Sequence, residues 1–137
     1  PARPCPISSP HLQLQSKLMK TYRGSCHCGT VEYDVELDVE NQNLMECNCT
    51  ICSRVGWKVF FVPERAFTLL KGEGATTDYQ FAKKNLHHPF CSTCGVRSYS
   101  WGPGHDGAGL MYAINARCLR DLDLADIETT PFDGASV

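Results

Sequence analysis

Seven of the nine cysteines in this 137-residue chain fall in three short clusters, Cys26-His27-Cys28, Cys47-Asn48-Cys49-Thr50-Ile51-Cys52 and Cys91-Ser92-Thr93-Cys94. Any fold the chain adopts has to accommodate them, because cysteines grouped at such spacings are metal-ligand patterns. They divide as four plus three. The first and last clusters each run into a glycine, Gly29 and Gly95, which frees the backbone to wrap tightly around a sulfur. Together they would make a closed four-thiolate site that ties an early segment to a late one, the competing reading being that one pair is a reactive redox dithiol, which no βαβ pattern supports. The middle cluster offers three ligands within six residues. Its fourth position is either open to water or substrate, or filled from elsewhere by His27, His87, His88 or Cys118. Residues two apart on a strand point the same way, so Cys26 with Cys28, and Cys47 with Cys49, are each expected to grip one ion from a strand.

Other uses of cysteine fit less well. Disulfide frameworks belong to secreted chains, and the first eighteen residues carry four prolines and no apolar run of signal-peptide kind. An odd cysteine count also opposes complete pairing. Iron–sulfur ligation uses other spacings. Soft thiolates in tetrahedral sets favour zinc, so two Zn²⁺ ions per chain are expected, in a reducing, cytoplasmic setting. Seven thiolates and two Zn²⁺ would move the formal net charge from −2 to −5. With no basic run, nucleic acid is not an expected partner. No stretch of about eighteen apolar residues is present to span a membrane.

The rest reads as one all-β domain. Val31, Tyr33, Val35, Leu37 and Val39 alternate with Glu32, Asp34, Glu36 and Asp38, the pattern of a half-buried antiparallel strand. Asn41-Gln42-Asn43 should turn the chain into a strand from Leu44 to Cys49. Trp57 to Val62 is an apolar run that stops at Pro63, as a buried strand would. Phe67–Leu70 and Thr77–Phe81 are expected to pair around Lys71-Gly72-Glu73-Gly74. Val96–Trp101, Leu110–Ile114 and Asp126–Thr130 complete a set of about eight strands, with helical turns only near Pro63-Glu64-Arg65 and Ala116–Leu119. Residues 1–18, rich in proline, serine and glutamine, are expected to be a separate disordered extension or cloning remnant, with the domain spanning 19–137. Cys5 lies in that extension, and Cys118 reads as a small buried hydrophobe.

Gly24-Ser25-Cys26-His27-Cys28-Gly29-Thr30-Val31-Glu32-Tyr33, the CxCxxC at Cys47 to Cys52, and His88-Pro89-Phe90-Cys91-Ser92-Thr93-Cys94-Gly95 resemble the glutathione-dependent formaldehyde-activating enzyme family, which also includes centromere protein V. The likeness runs from about Tyr22 to Gly134, through Tyr79-Gln80-Phe81, Ile114-Asn115-Ala116 and Phe132-Asp133-Gly134. It implies an Mss4-like fold of antiparallel sheets, a structural zinc on Cys26, Cys28, Cys91 and Cys94, and a second zinc on Cys47, Cys49 and Cys52. It also implies a carbon–sulfur lyase activity that joins glutathione to formaldehyde reversibly. Many members place His where Asn48 stands here.

The implied chemistry agrees with the residues. A thiol is a strong nucleophile only as its thiolate, and an open zinc position would deprotonate a bound thiol. Three thiolates leave the ion weakly electrophilic, so thiol binding is preferred to polarisation of an aldehyde oxygen. Cys47, Cys49 and Cys52 are therefore the expected catalytic residues. Arg54 and Lys58 head the candidates to hold the carboxylates of a small thiol, followed by Lys83, Lys84 and Arg97, and each also reads as an ordinary solvated charge. The competing readings are a zinc-stabilised binding module without catalysis, and two purely structural zincs.

Overall fold

In the computed structural model, residues 19–136 are described. The expected extension at 1–18 lies outside them. Ten strands form three sheets. In the first sheet β1 (Lys20–Ser25), β2 (Glu32–Leu37) and β5 (Phe67–Lys71) lie in the order β1-β2-β5. The second holds β3 (Leu44–Cys47), β4 (Val59–Pro63), β8 (Tyr99–Pro103), β9 (Leu110–Asn115) and β10 (Thr129–Phe132), in the order β10-β3-β4-β9-β8. The third pairs β6 (Thr76–Tyr79) with β7 (His88–Cys91). All pairings are antiparallel except that of β10 with β3, which is parallel. Among the described residues no helix is long and apolar enough to cross a membrane.

The alternation of β2 sets the core. Tyr33, Val35 and Leu37 are fully enclosed, and they meet Leu44, Phe60, Val62 and Ile114 of the second sheet. Tyr33 is the hinge of this packing. Its ring lies 5.0 Å from Phe67 and 5.6 Å, edge-on, from Tyr99. Its hydroxyl donates to the Ser98 carbonyl at 2.9 Å, which satisfies the one polar atom it buries.

Several boundaries differ from the sequence expectation. The strand expected to reach Val39 ends at Leu37, because the turn begins at Asp38. The Asp38 carbonyl accepts from Asn41 and Gln42, and its carboxylate accepts from the Asn41 side chain at 2.8 Å. That is why an acid from the polar face is buried. In the run from Trp57 to Val62, Phe61 points outward, against Phe132. Phe67–Lys71 and Thr76–Tyr79 do not pair with each other. β5 joins β2 and β6 joins β7, because Gly72, at φ 106°, sits against the Val31 backbone and directs the chain away. The strands β1 and β7 were not anticipated, and β8 and β10 lie two to three residues later than expected. The helical turns at Glu64–Ala66 and Ala116–Cys118 fall where expected.

Gly24 faces Tyr33 across the β1–β2 ladder, and a Cβ there would lie 2.6 Å from Cε1 of that ring. The ring has nowhere to move, being enclosed and hydrogen-bonded. Gly24→Ala should therefore cost about 1–3 kcal/mol of folding stability. A denaturant midpoint equal to wild type would show that the core yields freely at this point.

Candidate metal centres

The four-cysteine cluster forms where two chain reversals meet. Cys26 directly follows β1, and its N–H donates to the Val31 carbonyl, closing a loop that carries Cys28. Cys91 ends β7, and the Gly95 N–H donates to the Cys91 carbonyl in the turn that carries Cys94. Gly29 and Gly95 adopt φ values of 85° and 81°, which a side chain would strain. The grip thus comes from loops and not from a strand, which corrects the expectation that Cys26 and Cys28 share a strand face.

The sulfurs are at ligand spacing. Cys26 Sγ lies 3.7 Å from Cys28 Sγ, which lies 3.6 Å from Cys91 Sγ. Four thiolates around a tetrahedral ion at about 2.3 Å sit about 3.8 Å apart. The donor set could therefore hold a metal ion without rearrangement. Backbone N–H groups also point at the sulfurs, from Val31 to Cys26 at 3.3 Å and from Thr93 and Cys94 to Cys91 at 3.4 Å. The N–H of Val96, then that of Cys28, brings the Cys94 thiol down to about 6. The Thr30 hydroxyl, 3.1 Å away, lowers Cys28, whereas burial raises Cys26.

The three-cysteine cluster has a different frame. Cys47 ends β3, and the chain passes at once into a short helix, α1 (Thr50–Val55), that the sequence analysis did not anticipate. Cys49 is its N-cap, and its sulfur accepts the Cys52 N–H at 3.4 Å. Here too the strand expected to reach Cys49 stops at Cys47, and the cap geometry converges the sulfurs. The ligand atoms of Cys47, Cys49 and Cys52 all lie within 4.8 Å of one another. Burial pushes the Cys52 thiol up to about 12, opposed by the nearby Trp57 indole N–H. Burial also acts to raise Cys49, but the N–H of Cys52 and its neighbours outweigh it and the thiol falls below its ordinary value.

No fourth Cys, His, Asp or Glu among the described residues joins this trio. His27 is exposed. His87 pairs with Asp78 and stacks on Trp101 at 3.8 Å. His88 is buried, with Nδ1 2.9 Å from the Tyr79 carbonyl, and burial lowers its pKa. Cys118 is half-buried within the electrostatic reach of Cys26 and Cys94, and burial raises it to about 11.

The expected cations are scattered. Arg54 donates to the Thr50 carbonyl of its own helix at 2.8 Å. Lys58 lines a separate groove with Arg117, Leu119, Leu122 and Asp123. Lys83 and Lys84 are exposed. Arg97 is half-buried, with Nε and Nη1 sealed from solvent.

Residues near the end of the described chain cover the trio. Phe132 of β10 sits in register with Cys47, and the Asn48 N–H donates to its carbonyl at 3.1 Å. Asn48 Nδ2 donates to Asp133 at 3.0 Å, and its Oδ1 accepts from the Ala135 N–H at 2.9 Å. Gly134 lies so close that a Cβ would collide with Cys47 Sγ and come within 3.3 Å of Cys49 Cβ. In the sequence its two halves are Asn48, between the first two cysteines, and the Phe132-Asp133-Gly134 motif, which nothing in their spacing joins.

The family model described as glutathione-dependent formaldehyde-activating enzyme matches residues 21–129. The chain belongs to the glutathione-dependent formaldehyde-activating enzyme family. A crystal structure of a Rhodobacter sphaeroides protein is similar to it, at 28% identity and a TM-score of 0.66, covering 80% of this chain and 97% of that one. All three cysteine motifs lie inside the matched span, and the sheets have the mostly antiparallel, Mss4-like character expected of this family. The Asp133–Ser136 turn that approaches Cys47 lies just beyond the matched residues.

Asn48→Ala removes both side-chain bonds of the clasp. It should weaken metal retention by the three-cysteine cluster by about 10–100-fold and spare the four-cysteine cluster. Chelator competition would resolve the two as separate release steps, and equal loss from both clusters would contradict the local role.

Proposed function

We propose that this protein is a zinc-dependent enzyme of carbon–sulfur lyase type, adding a small glutathione-like thiol to a small aldehyde such as formaldehyde and cleaving the adduct in reverse. In this reading Cys26, Cys28, Cys91 and Cys94 hold a structural zinc, and Cys47, Cys49 and Cys52 hold a second. The observation that carries it is a cluster of three convergent sulfurs with no fourth ligand among the described residues, in a family named for glutathione-dependent formaldehyde activation.

When bound at the three cysteines, zinc supplies an open coordination position and the positive charge that keeps a thiol deprotonated near neutral pH. The chain's own residues do the rest. The Cys49 cap and the Cys52 N–H hold two sulfurs rigidly at the start of α1. Gly134 packs against Cys47, and the Asn48–Asp133 clasp fixes the turn that carries it. In the reaction a sulfur lone pair forms the C–S bond, the carbonyl π pair moves to oxygen, and oxygen takes up the proton that the thiol lost. Arg54 and Lys58 remain candidates for the substrate carboxylates, with Arg54 having to leave the Thr50 carbonyl to serve.

Two measurements test this reading. Cobalt substituted for zinc should report glutathione as a new sulfur-to-metal charge-transfer band, absent in Cys49→Ser. Exchange between glutathione and its hydroxymethyl adduct should run faster with the protein than with Cys49→Ser. Thiol binding without acceleration would make this a binding module, and no binding would leave both sites structural.

The two clusters should also differ in what they do for folding. Structural zinc is worth about 10–16 kcal/mol in apparent binding, and that energy is folding energy. Cys91→Ser should therefore lower the melting temperature far more than Cys49→Ser. Equal losses would mean that the three-cysteine site is structural as well.

A further inference from the structure

The trio of Cys47, Cys49 and Cys52 is framed by β3, by α1 and by the turn at Asp133–Ser136, and these three are not equally secured. Cys47 ends β3, which runs in a ladder with β10 on one side and β4 on the other. Cys49 and Cys52 belong to α1 and its cap. The Cys49 carbonyl accepts the Ser53 N–H, and the Cys52 carbonyl accepts the Gly56 N–H, each at 2.9 Å. Both frames are fixed by backbone hydrogen bonds.

The turn is not. Among the described residues its hydrogen bonds to the rest of the protein go to one side chain. Asn48 Nδ2 donates to Asp133 at 3.0 Å, and Asn48 Oδ1 accepts the Ala135 N–H at 2.9 Å. Its other bonds are internal: Ser136 Oγ donates to Asp133 Oδ2 at 2.7 Å, and the Ser136 N–H reaches the Asp133 carbonyl at 3.4 Å. The last backbone bond before it joins the Asn48 N–H to the Phe132 carbonyl. Asn48, Asp133, Ala135 and Ser136 are all exposed. Exposed hydrogen bonds with little apolar burial behind them mark the segments that open most readily in a folded protein.

Gly134 shows how closely the turn seats. A Cβ there would collide with Cys47 Sγ and lie 3.3 Å from Cys49 Cβ. Gly134 is not in the left-handed region, so space and not backbone conformation calls for glycine here.

We propose that the Asp133–Ser136 turn is a lid on the Cys47 side of the three-cysteine site, latched by the Asn48 side chain, and that unlatching sets how fast ions and ligands enter and leave. Phe132, held in β10 opposite Cys47 with its ring 6.2 Å from that of Phe61, is where the lid hinges. The proposal rests on the reading of Cys47, Cys49 and Cys52 as a metal site. It does not depend on that site taking a thiol.

The test times cobalt uptake by the full chain and cobalt release to a chelator, in wild type, Asn48→Ala and Gly134→Ala. The phase missing in Cys49→Ser identifies the three-cysteine cluster. In Asn48→Ala uptake should become about 10-fold faster, and release faster by at least as much. Faster release with uptake unchanged or slowed overturns the proposal, since the clasp would then merely position the ligands. Gly134→Ala keeps the latch but cannot seat against Cys47, so it should reproduce the faster uptake. Wild-type uptake in that variant also overturns the lid. If Asn48→Ala does not fold, Gly134→Ala decides alone. Glutathione separates the lid from the function proposed above. No charge-transfer band in wild type, with both variants taking up cobalt faster, sinks thiol binding and upholds the lid. A band that forms at one rate in all three proteins upholds thiol binding and overturns the lid. A wild-type cluster that takes up no cobalt overturns both.

Discussion

The convergence of Cys26, Cys28, Cys91 and Cys94 is the constraint on which the rest of this molecule depends. The four sulfurs join the loop after β1 to the end of β7, segments more than sixty residues apart, at a spacing that one tetrahedral ion would complete. The core that lies between these segments is small, built around Tyr33, Val35, Leu37, Phe60 and Ile114. A domain of this size buries a limited share of its apolar surface, and a cross-link through metal would supply what the core lacks. The two-stranded β6–β7 sheet shows the dependence most clearly. A lone pair of strands is marginal in water, and β7 ends on the ligand Cys91.

The backbone around the sulfurs differs between the two clusters. In the four-cysteine cluster the Thr30 hydroxyl draws Cys28, and N–H groups of Val96 and Cys28 draw Cys94, toward the thiolate form. In the three-cysteine cluster one sulfur serves as a helix cap while another is pushed strongly toward the neutral thiol by burial. Each cluster also holds a sulfur that runs the other way, since burial raises Cys26 in the first and, against burial, N–H groups bring Cys49 down in the second.

The cysteine grouping was legible from spacing, and so was the inward face of β2, where burial follows the alternation from Tyr33 to Leu37 residue by residue. What spacing could not give was the local geometry. α1 is six residues long and has no buried residue, so it leaves no apolar period, and a thiol is not among the side chains that announce a helix start. The Lys71-Gly72-Glu73-Gly74 segment reads as a hairpin turn, yet Gly72 is there to let the backbone pass close to Val31. Arg97 stood in a row of possible cations, and nothing in sequence separates a buried guanidinium from a solvated one.

The parallel seam between β10 and β3 sets an order of events during synthesis. The four-cysteine cluster has all its ligands once Cys94 has left the ribosome. The turn that Asp133 and Ser136 build over Cys47 cannot close until much more of the chain has emerged. Between those moments the three-cysteine cluster is accessible in a domain whose main cross-link can already form. An ion taken up by the three-cysteine cluster would therefore meet a more open site before β10 docks than after.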